Sequence, residues 1–428
     1  MMDPFASLPR RVGRILFCAA AGVATAMAPA HAQLLPSLPG AVDRTLGQVG
    51  QMGQALAPVG RTVADARALA RERLSRARDL ARRYPDRIAL DRDGNAVRAG
   101  EVVVVDADDA VVAAATALGF RLVERSDLDG LGIGYARFVA PAGLAIDAAV
   151  ARLRAVAGSR EVSTDPLHVR SGGAGGLVRA APFAAATPAP GAEGRRIGIV
   201  DGGVSRATPG LADQRSFANG APSAQDHATQ IASLLTGGGG VRASAPGAAL
   251  YVADVYGTDP AGGDAVAIAR ALAWLTQAKV PLVVVSLVGP ANPLLARVVA
   301  AARQRGTLVV AAVGNDGPAA PPAYPASYPQ AIAVTGVDAR GRPLIEAGRA
   351  LKIDYAAPGA DLRARGADGR TRTVRGTSFA APFVAARLSA HLAGGDLQSA
   401  IAAVDREAKA GSRAMGRGLV CGDCATRP

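Results

Sequence analysis

Between residues 195 and 410, short apolar runs alternate with stretches of helical composition, and this alternation limits the possible folds more than any other feature. The apolar runs are Ile197–Val200, Leu250–Val255, Leu282–Leu287, Leu308–Ala312 and Ala331–Val337. The helical stretches are Thr229–Leu235, Ala265–Gln277, Pro293–Arg303 and Ser378–Leu392. Near-continuous apolar strands separated by helices indicate a parallel sheet that is covered on both faces. We therefore expect an α/β domain here.

A second, smaller α+β domain is predicted at residues 101–170. Its strand and helix patterns follow in the order β-α-β-β-α-β, which is the ferredoxin-like plan. The predicted elements are Val102–Val105, Ala110–Leu118, Arg121–Glu124, Tyr135–Val139, Ile146–Val156 and the extended Glu161–Val169. Nothing in this domain suggests catalysis, so we interpret His168, in its last strand, as structural.

Two segments have compositions that do not suit a packed core. Residues 171–194 are rich in Gly, Ala and Pro, which predicts a mobile linker and an exposed cleavage site. Residues 33–100 are predicted as a flexible lead followed by an amphipathic helix within Thr62–Arg83. That helix either lies on a membrane surface or, as we favour, is a solvated helix that precedes a domain.

The first 32 residues are typical of an export signal. Arg10, Arg11 and Arg14 precede the apolar stretch Ile15–Ala28, and small residues follow at Ala30 and Ala32. The apolar stretch has 14 residues, whereas a membrane-spanning helix needs about 20. We therefore predict a cleaved signal peptide at residues 1–32; an uncleaved membrane anchor is the alternative.

Charge and cysteine content exclude some classes of function. The formal net charge is +13, but no basic patch is interleaved with aromatic residues, which argues against nucleic-acid binding. Cys421 and Cys424 lie in a C-terminal tail at residues 411–428. A zinc site would need two more ligands, so a short local disulfide is expected in an exported chain.

Asp201, His227 and Ser378 follow one another in an order known for catalytic triads, Asp…His…Ser. A serine hydroxyl is a poor nucleophile unless a base lies within hydrogen-bond reach. Outside the signal, the only other histidines are His168 in the small domain and His391, more than three helical turns from Ser378. His227 is therefore the candidate base, and Asp201, at a strand end, is the candidate carboxylate that orients it.

The surroundings of Ser378 suit a nucleophile. Gly376 and Thr377 allow a sharp turn into a helix, and Pro382 is tolerated in its first turn. The start of a helix directs N–H groups and a positive end at an oxyanion. Asn315, just beyond the predicted strand Leu308–Ala312, is a candidate for the second oxyanion donor.

Together these segments resemble the subtilase family of serine peptidases over residues 195–393. The matching segments are Ile199–Gly203, His227 with Thr229, Ser286–Leu287, Ala312–Asn315 and Gly376–Pro382, of which the last is the most specific. The resemblance implies a parallel seven-stranded sheet and a peptidase domain at residues 195–410. It also implies that Asp201 orients His227, that His227 is the general base and then the acid, that Ser378 is the nucleophile and that Asn315 stabilises the oxyanion. The module at 101–170 resembles the family's propeptides, which chaperone folding and inhibit the enzyme until they are cut.

The resemblance also implies where substrate binds. An extended peptide would pair with Val283–Val285 and Ser286–Leu287, and with backbone near Gly257 to Gly263. The implied substrate-binding residues are Ser286, Leu287, Val288, Gly314 and Ala323. The small Ala323 predicts an apolar preference for the side chain before the cut.

Two departures from the family pattern leave an alternative open. Ala228 stands where the family usually has Gly after the His, and Val288 replaces a Gly common after Ser-Leu. No metal site or cofactor is predicted. Binding of a calcium ion by backbone carbonyls is left as an alternative. The layout is closest to exported Gram-negative subtilases.

The sequence therefore predicts an exported serine endopeptidase, periplasmic or extracellular, made as a self-processing proenzyme. It would act on protein or peptide substrates, with its own propeptide as intramolecular inhibitor. Residues 61–87 are Arg-rich, which suggests a weak contact with an anionic surface. The alternative is a subtilase-like binding protein whose catalysis is impaired by Ala228 and Val288.

Overall fold

The computed structural model describes residues 65–170, 195–220, 222–392 and 396–425. The predicted signal peptide, the lead up to residue 64 and the linker at 171–194 lie outside these residues. Helix α1 covers residues 65–83. The small domain follows with β1 (Ile88–Leu90), β2 (Ala96–Val105), α2 (Asp109–Ala117), β3 (Arg121–Leu128), β4 (Ile133–Val139), α3 (Ile146–Val156), β5 (Val162–Pro166) and β6 (Val169–Arg170).

The small domain has the predicted ferredoxin-like order of elements. Its antiparallel sheet runs β1-β2-β4-β3, and β5 also pairs with β2. Helices α2 and α3 cover one face of this sheet around a core that includes Val104, Phe138 and Leu153. Alternation along β2 turns Val103 and Val105 to the other face, where they join the core of the large domain.

The large domain alternates strands and helices along the chain. Its elements are β7 (Arg196–Asp201), β8 (Leu211–Ser216), α4 (Asp226–Thr236), β9 (Ala249–Asp254), α5 (Ala265–Gln277), β10 (Leu282–Val285), β11 (Leu287–Val288), α6 (Pro293–Gln304), β12 (Leu308–Ala312), β13 (Ile332–Val337), β14 (Tyr355–Pro358), β15 (Leu362–Arg365), β16 (Thr371–Val374), α7 (Ala381–His391) and α8 (Leu397–Glu407). Seven strands form one parallel sheet in the order β14-β13-β12-β10-β7-β9-β8. The α/β fold class is thereby confirmed.

Helices cover both faces of the seven-stranded sheet, as its apolar strands predicted. One core lies under α4, α7 and α8 and includes Ile231, Phe383 and Val404. The opposite core lies under α5 and α6 and includes Leu272 and Val298. Because the carboxyl ends of parallel strands share one edge, residues that follow β7 and β12 are brought to the same side of the sheet.

The small domain docks on α5 and α6 of the large domain through polar contacts as well as apolar ones. Asp165 accepts a hydrogen bond from the Val266 N–H, 3.2 Å away at the start of α5. The Asn292 side chain, which caps α6, donates to the hydroxyl of Ser163 at 3.1 Å. Burial, together with the nearby carboxylates of Asp264 and Glu101, raises the pKa of Asp165 well above its usual range.

Helix α1 is not the solvated helix that its sequence suggested. Leu74 packs close to Gly94 of the β1–β2 turn, and Leu80 packs against the buried Ile88. Arg73 donates to the Asn95 side chain at 3.0 Å. The apolar stripe of this helix therefore has a partner within the chain. Among the described residues, no helix is long and apolar enough to span a membrane.

The tail closes with the expected local disulfide. Cys421 and Cys424 are bonded, and their Cα atoms are 5.1 Å apart, within the usual range. Both cysteines pack against the core under α4, α7 and α8.

Candidate active site

Asp201 is the last residue of β7, near the middle of the seven-stranded sheet. Its side chain is fully buried, and its Oδ1 accepts a hydrogen bond from the Gly202 N–H at 2.7 Å. Burial alone would raise the pKa of this carboxyl, but His227 and Arg170 more than offset that effect and lower it. Asp201 is therefore a buried carboxylate anion.

His227 is the second residue of α4, and its ring meets Asp201. The Nδ1 atom lies 2.8 Å from the Asp201 Oδ2. Because an ionised carboxylate only accepts hydrogen bonds, Nδ1 is the donor, and Nε2 is left as the atom able to accept a proton. Nε2 is buried and has no hydrogen-bond partner among the described residues.

Ser378 lies in the short 3₁₀ turn Thr377–Phe379 that leads into α7. Gly376 before it has φ 139°, a conformation that few residues other than Gly adopt. The Phe379 ring, directly after Ser378, has its centroid 5.6 Å from that of His227. The Ser378 carbonyl accepts a hydrogen bond from the Ser286 hydroxyl at 3.0 Å. The fold thus brings Asp201, His227 and the Ser378 turn to one edge of the sheet.

Asn315 lies in the loop after β12 and is tied to the same turn. Its Oδ1 accepts a hydrogen bond from the Thr377 N–H at 3.0 Å, and the Thr377 hydroxyl donates to the Gly314 carbonyl at 3.1 Å. Since the amide oxygen faces Thr377, the amide nitrogen is the end that is able to donate to a negative oxygen beside Ser378.

The cleft beside Ser378 is bordered by β11, and this strand carries two of the predicted substrate-binding residues. Leu287 and Val288 pair antiparallel with Arg170 and Val169 of β6. On the other side, His168 donates its N–H to the Gly263 carbonyl at 2.7 Å. The end of the small domain therefore lies as an extended strand between two segments of the large domain.

One predicted substrate contact is wrong. Val283–Val285 cannot receive an added strand, because β10 pairs with β7 on one side and with β12 on the other. After Ser286, the chain continues as β11, which has an edge where another strand can pair. In this structure β6 pairs with that edge. Val288 packs close to Gly314, and Tyr324, the residue after Ala323, bridges to Gly289; a role of Gly314 and Ala323 in substrate binding stays a prediction.

His168, which the sequence analysis interprets as structural, lies against Gly289 of the large domain. It is fully buried, and its ring lies so close to Gly289 that a Cβ there would come within 2.6 Å of it. Burial lowers the pKa of His168 to about 4. No pattern in the sequence indicates this contact, because it joins residues about 120 positions apart.

Helix α1 reaches the loop that holds Asn315. Leu69 packs close to Gly317, and Arg76 forms an ion pair with Asp316. Burial raises the pKa of Asp316, while Arg76 and Arg73 act to lower it. An amphipathic pattern shows that a helix has an apolar face, but not which surface covers that face.

The departures from the family pattern do not disturb the site. Ala228 is fully buried, and the hydrogen bond between His227 and Asp201 is formed beside it. Val288 takes part in strand pairing with β6. Within the described ranges, no cluster of His, Cys, Asp and Glu is arranged to hold a metal ion.

The sequence is similar to those of known proteins. A model of the subtilase family matches residues 193–394. Subtilisin BL of Lederbergia lenta is 33% identical over 200 residues, which are 45% of this chain and 74% of that protein. The chain belongs to the subtilase family. The major intracellular serine protease of Bacillus subtilis (strain 168) is 30% identical over 214 residues, 45% of this chain and 67% of that protein.

Among solved structures, the self-cleaved protease domain of PatA is similar with a TM-score of 0.48 and 26% identity, over 54% of this chain and 94% of that one. As a subtilase, this protein is a serine endopeptidase that acts on protein or peptide substrates. The alternative of an impaired binding protein has no support in these comparisons or in the geometry around Ala228.

Proposed function

We propose that Asp201, His227 and Ser378 form the catalytic triad of this subtilase and that Asn315 donates to the oxyanion. The observation that carries this proposal is the 2.8 Å contact of His227 Nδ1 with the buried Asp201, beside the turn that holds Ser378. A peptide bond would be hydrolysed through an acyl-enzyme, without a cofactor.

The roles follow from the chemistry of each group. His227 Nε2 accepts the proton of the Ser378 hydroxyl as its oxygen attacks the carbonyl carbon, and later returns that proton to the leaving amine. Asp201 stabilises the imidazolium that forms and holds the ring in the tautomer that leaves Nε2 available. The negative oxygen of the tetrahedral intermediate receives hydrogen bonds from Asn315 and from the start of the helix that follows Ser378.

Asn315 offers a direct test of the oxyanion role. Asn315→Ala is expected to lower kcat by about 10²–10³-fold with little change in KM, since the donor acts on charge that develops only in the transition state. Asn315→Asp keeps an oxygen to accept from the Thr377 N–H but lacks the donor, so it should be at least as impaired. Steady-state kinetics with a peptide substrate measures both. Near-normal kcat in Asn315→Asp would contradict the role.

We also propose that the chain is made as a proenzyme in which residues 101–170 inhibit the peptidase domain. The pairing of Val169 and Arg170 with β11 supports this, because a peptide substrate would bind by the same strand addition. Contact of α1 with the Asn315–Gly317 loop adds a second obstruction on the oxyanion side. Release of the small domain would expose both surfaces together.

The register of β6 suggests which bond is cut. The described part of β6 ends at Arg170, which pairs with Leu287, the residue directly after Ser286. The Ser286 carbonyl is 3.5 Å from the Ser378 hydroxyl. We therefore propose self-cleavage between Ser171 and Gly172, at the start of the linker.

N-terminal sequencing of the processed protein tests this cut. A new N-terminus at Gly172 is expected, and a Ser378→Ala chain purified in the same way should lack it. A first cut far along the linker would contradict the register, and the same cut in both chains would contradict self-processing.

Export is the third part of the proposal. The signal pattern of residues 1–32 and the Cys421–Cys424 disulfide both suit an oxidising compartment outside the cytoplasm. Cell fractionation with sequencing of the recovered protein tests this, since a periplasmic or extracellular product should lack the first 32 residues. A weak contact of residues 61–87 with an anionic surface stays a separate prediction, testable by salt-dependent binding to liposomes.

A further inference from the structure

Arg170, the last described residue of the small domain, lies between an aromatic ring and a buried carboxylate of the large domain. Its guanidinium carbon lies 4.0 Å from the centroid of the Tyr256 ring. Its Nε lies 3.5 Å from the Oδ1 of the buried Asp201. The side chain is only 26% exposed, so the cation is largely removed from water between an aromatic face and a buried anion.

Tyr256 is held so that its ring faces this position. Its N–H donates to the Asp254 carboxylate at 3.0 Å, just after β9, and its hydroxyl donates to the His168 carbonyl at 2.7 Å. The hydroxyl end of the ring is thus held by the His168 carbonyl, and the Tyr256 backbone is held by Asp254 at the end of β9. Burial raises the pKa of Tyr256, so the ring is a neutral phenol and attracts Arg170 through its π face.

We infer that Tyr256 is a specificity-determining residue that selects a cationic side chain, Arg above Lys, at the second residue before the cut in substrates from outside the chain. This inference rests on the proposed function, because it takes the strand of residues 167–170 as a guide to how substrate binds. The class of substrate is a protein or peptide with a basic residue followed by the residue whose carbonyl is attacked.

The charges around the position favour a cation over other side chains. A guanidinium stacks on an aromatic face and is less strongly hydrated than an ammonium, which places Arg above Lys. A neutral side chain of the same shape keeps the packing but loses the attraction to Tyr256 and Asp201. A carboxylate would meet the Asp201 anion in a partly desolvated cleft, which makes acidic residues the poorest.

A purely structural role for the contact is the competing explanation. In that case Arg170 stacks on Tyr256 only to hold the small domain in place, and the processed enzyme is indifferent to this position. The two explanations differ in what the mature enzyme does with free peptides.

The experiment uses quenched fluorescent peptides built on the chain's own segment, Leu167 to Gly172, with the residue at position 170 as Arg, citrulline, Lys or Glu. Citrulline matches Arg in shape and lacks its charge. The self-processed full chain is compared with Tyr256→Phe, which keeps the ring, and with Tyr256→Leu, which removes it. Mass spectrometry of the products locates the cut.

The parent enzyme should cleave the Arg peptide with a kcat/KM about tenfold above that of the citrulline peptide, with Lys between them and Glu lowest. Tyr256→Phe should keep the Arg-to-citrulline ratio, and Tyr256→Leu should bring it close to one. Equal cleavage of Arg and citrulline peptides by the parent, or an unchanged ratio in Tyr256→Leu, overturns the inference while leaving the peptidase assignment intact. Failure of the parent to cleave any of the peptides counts against the proposed substrate pose itself. Where Tyr256→Leu does not fold, equal cleavage of the Arg and citrulline peptides by the parent still overturns the inference.

Discussion

Ser378→Ala is expected to lower peptide hydrolysis by about a millionfold and to leave the chain uncut. Without the hydroxyl there is no oxygen to form the acyl-enzyme, and the remaining hydrogen bonds stabilise only a slow direct attack by water. Turnover of a peptide substrate and the length of the purified chain on a gel measure the two effects separately.

Ser389→Ala provides a matched control for this substitution. Ser389 is also buried and lies on α7, the helix that follows Ser378, yet it is about three turns of helix beyond Ser378. Loss of one buried hydroxyl there should leave turnover and processing unchanged. If Ser378→Ala kept turnover within tenfold of the parent, another group would have to be the nucleophile.

Asp201→Asn is expected to lower kcat by about 10⁴-fold while the fold is retained. The amide has nearly the shape of the carboxylate, but its NH₂ group would donate to His227 Nδ1 and so place the ring proton on Nε2. Nε2 would then be unable to accept the proton of Ser378. The substitution also removes the negative charge of Asp201, which stabilises the imidazolium of His227.

Kinetics with one peptide substrate, together with the melting temperature of each variant, tests this prediction. Asp213→Asn is the matched control, because Asp213 on β8 is partly exposed and its carboxylate forms an ion pair with the neighbouring Arg215 at 3.2 Å. Asp213→Asn is expected to have the same kcat as the parent. An Asp201→Asn enzyme with a normal kcat would show that the His227 tautomer does not depend on this carboxylate.

Much of the fold could be predicted because buried parallel strands carry a strong sequence signal. The central strands are nearly all apolar, and α5 has the predicted bounds Ala265–Gln277. The two edge strands, Leu211–Ser216 and Tyr355–Pro358, were not predicted. Leu211–Ser216 is mostly polar because this edge strand is more exposed to solvent than the central strands. Tyr355–Pro358 is too short to show the alternation of a strand.

The residues of the proposed triad could be found because each stands at a recognisable junction. Asp201 ends a strand, His227 begins a helix, and Ser378 follows a Gly that is needed for a sharp turn. What the sequence could not supply is the set of contacts between distant segments. Tyr256 beneath Arg170 and Leu69 on Gly317 depend on how the small domain and α1 dock.

The error at Val283–Val285 has the same origin. The run Leu282–Leu287 is apolar except for Ser286, and its pattern does not show which of its residues have strands on both sides. In the structure the first four residues are paired on both sides, and only those after Ser286 have an edge for a peptide. Whether a strand can pair with a peptide depends on whether other strands already lie on both of its sides. The periodicity of its own sequence does not show this.

Labelling of the processed enzyme with a fluorophosphonate is the most direct test, because this reagent bonds only to a serine oxygen that a neighbouring base has activated. Digestion and mass spectrometry are expected to find a single adduct, on Ser378, that does not form in His227→Ala. An unlabelled protein that nevertheless cuts peptides, or an adduct on a different serine, would contradict the triad.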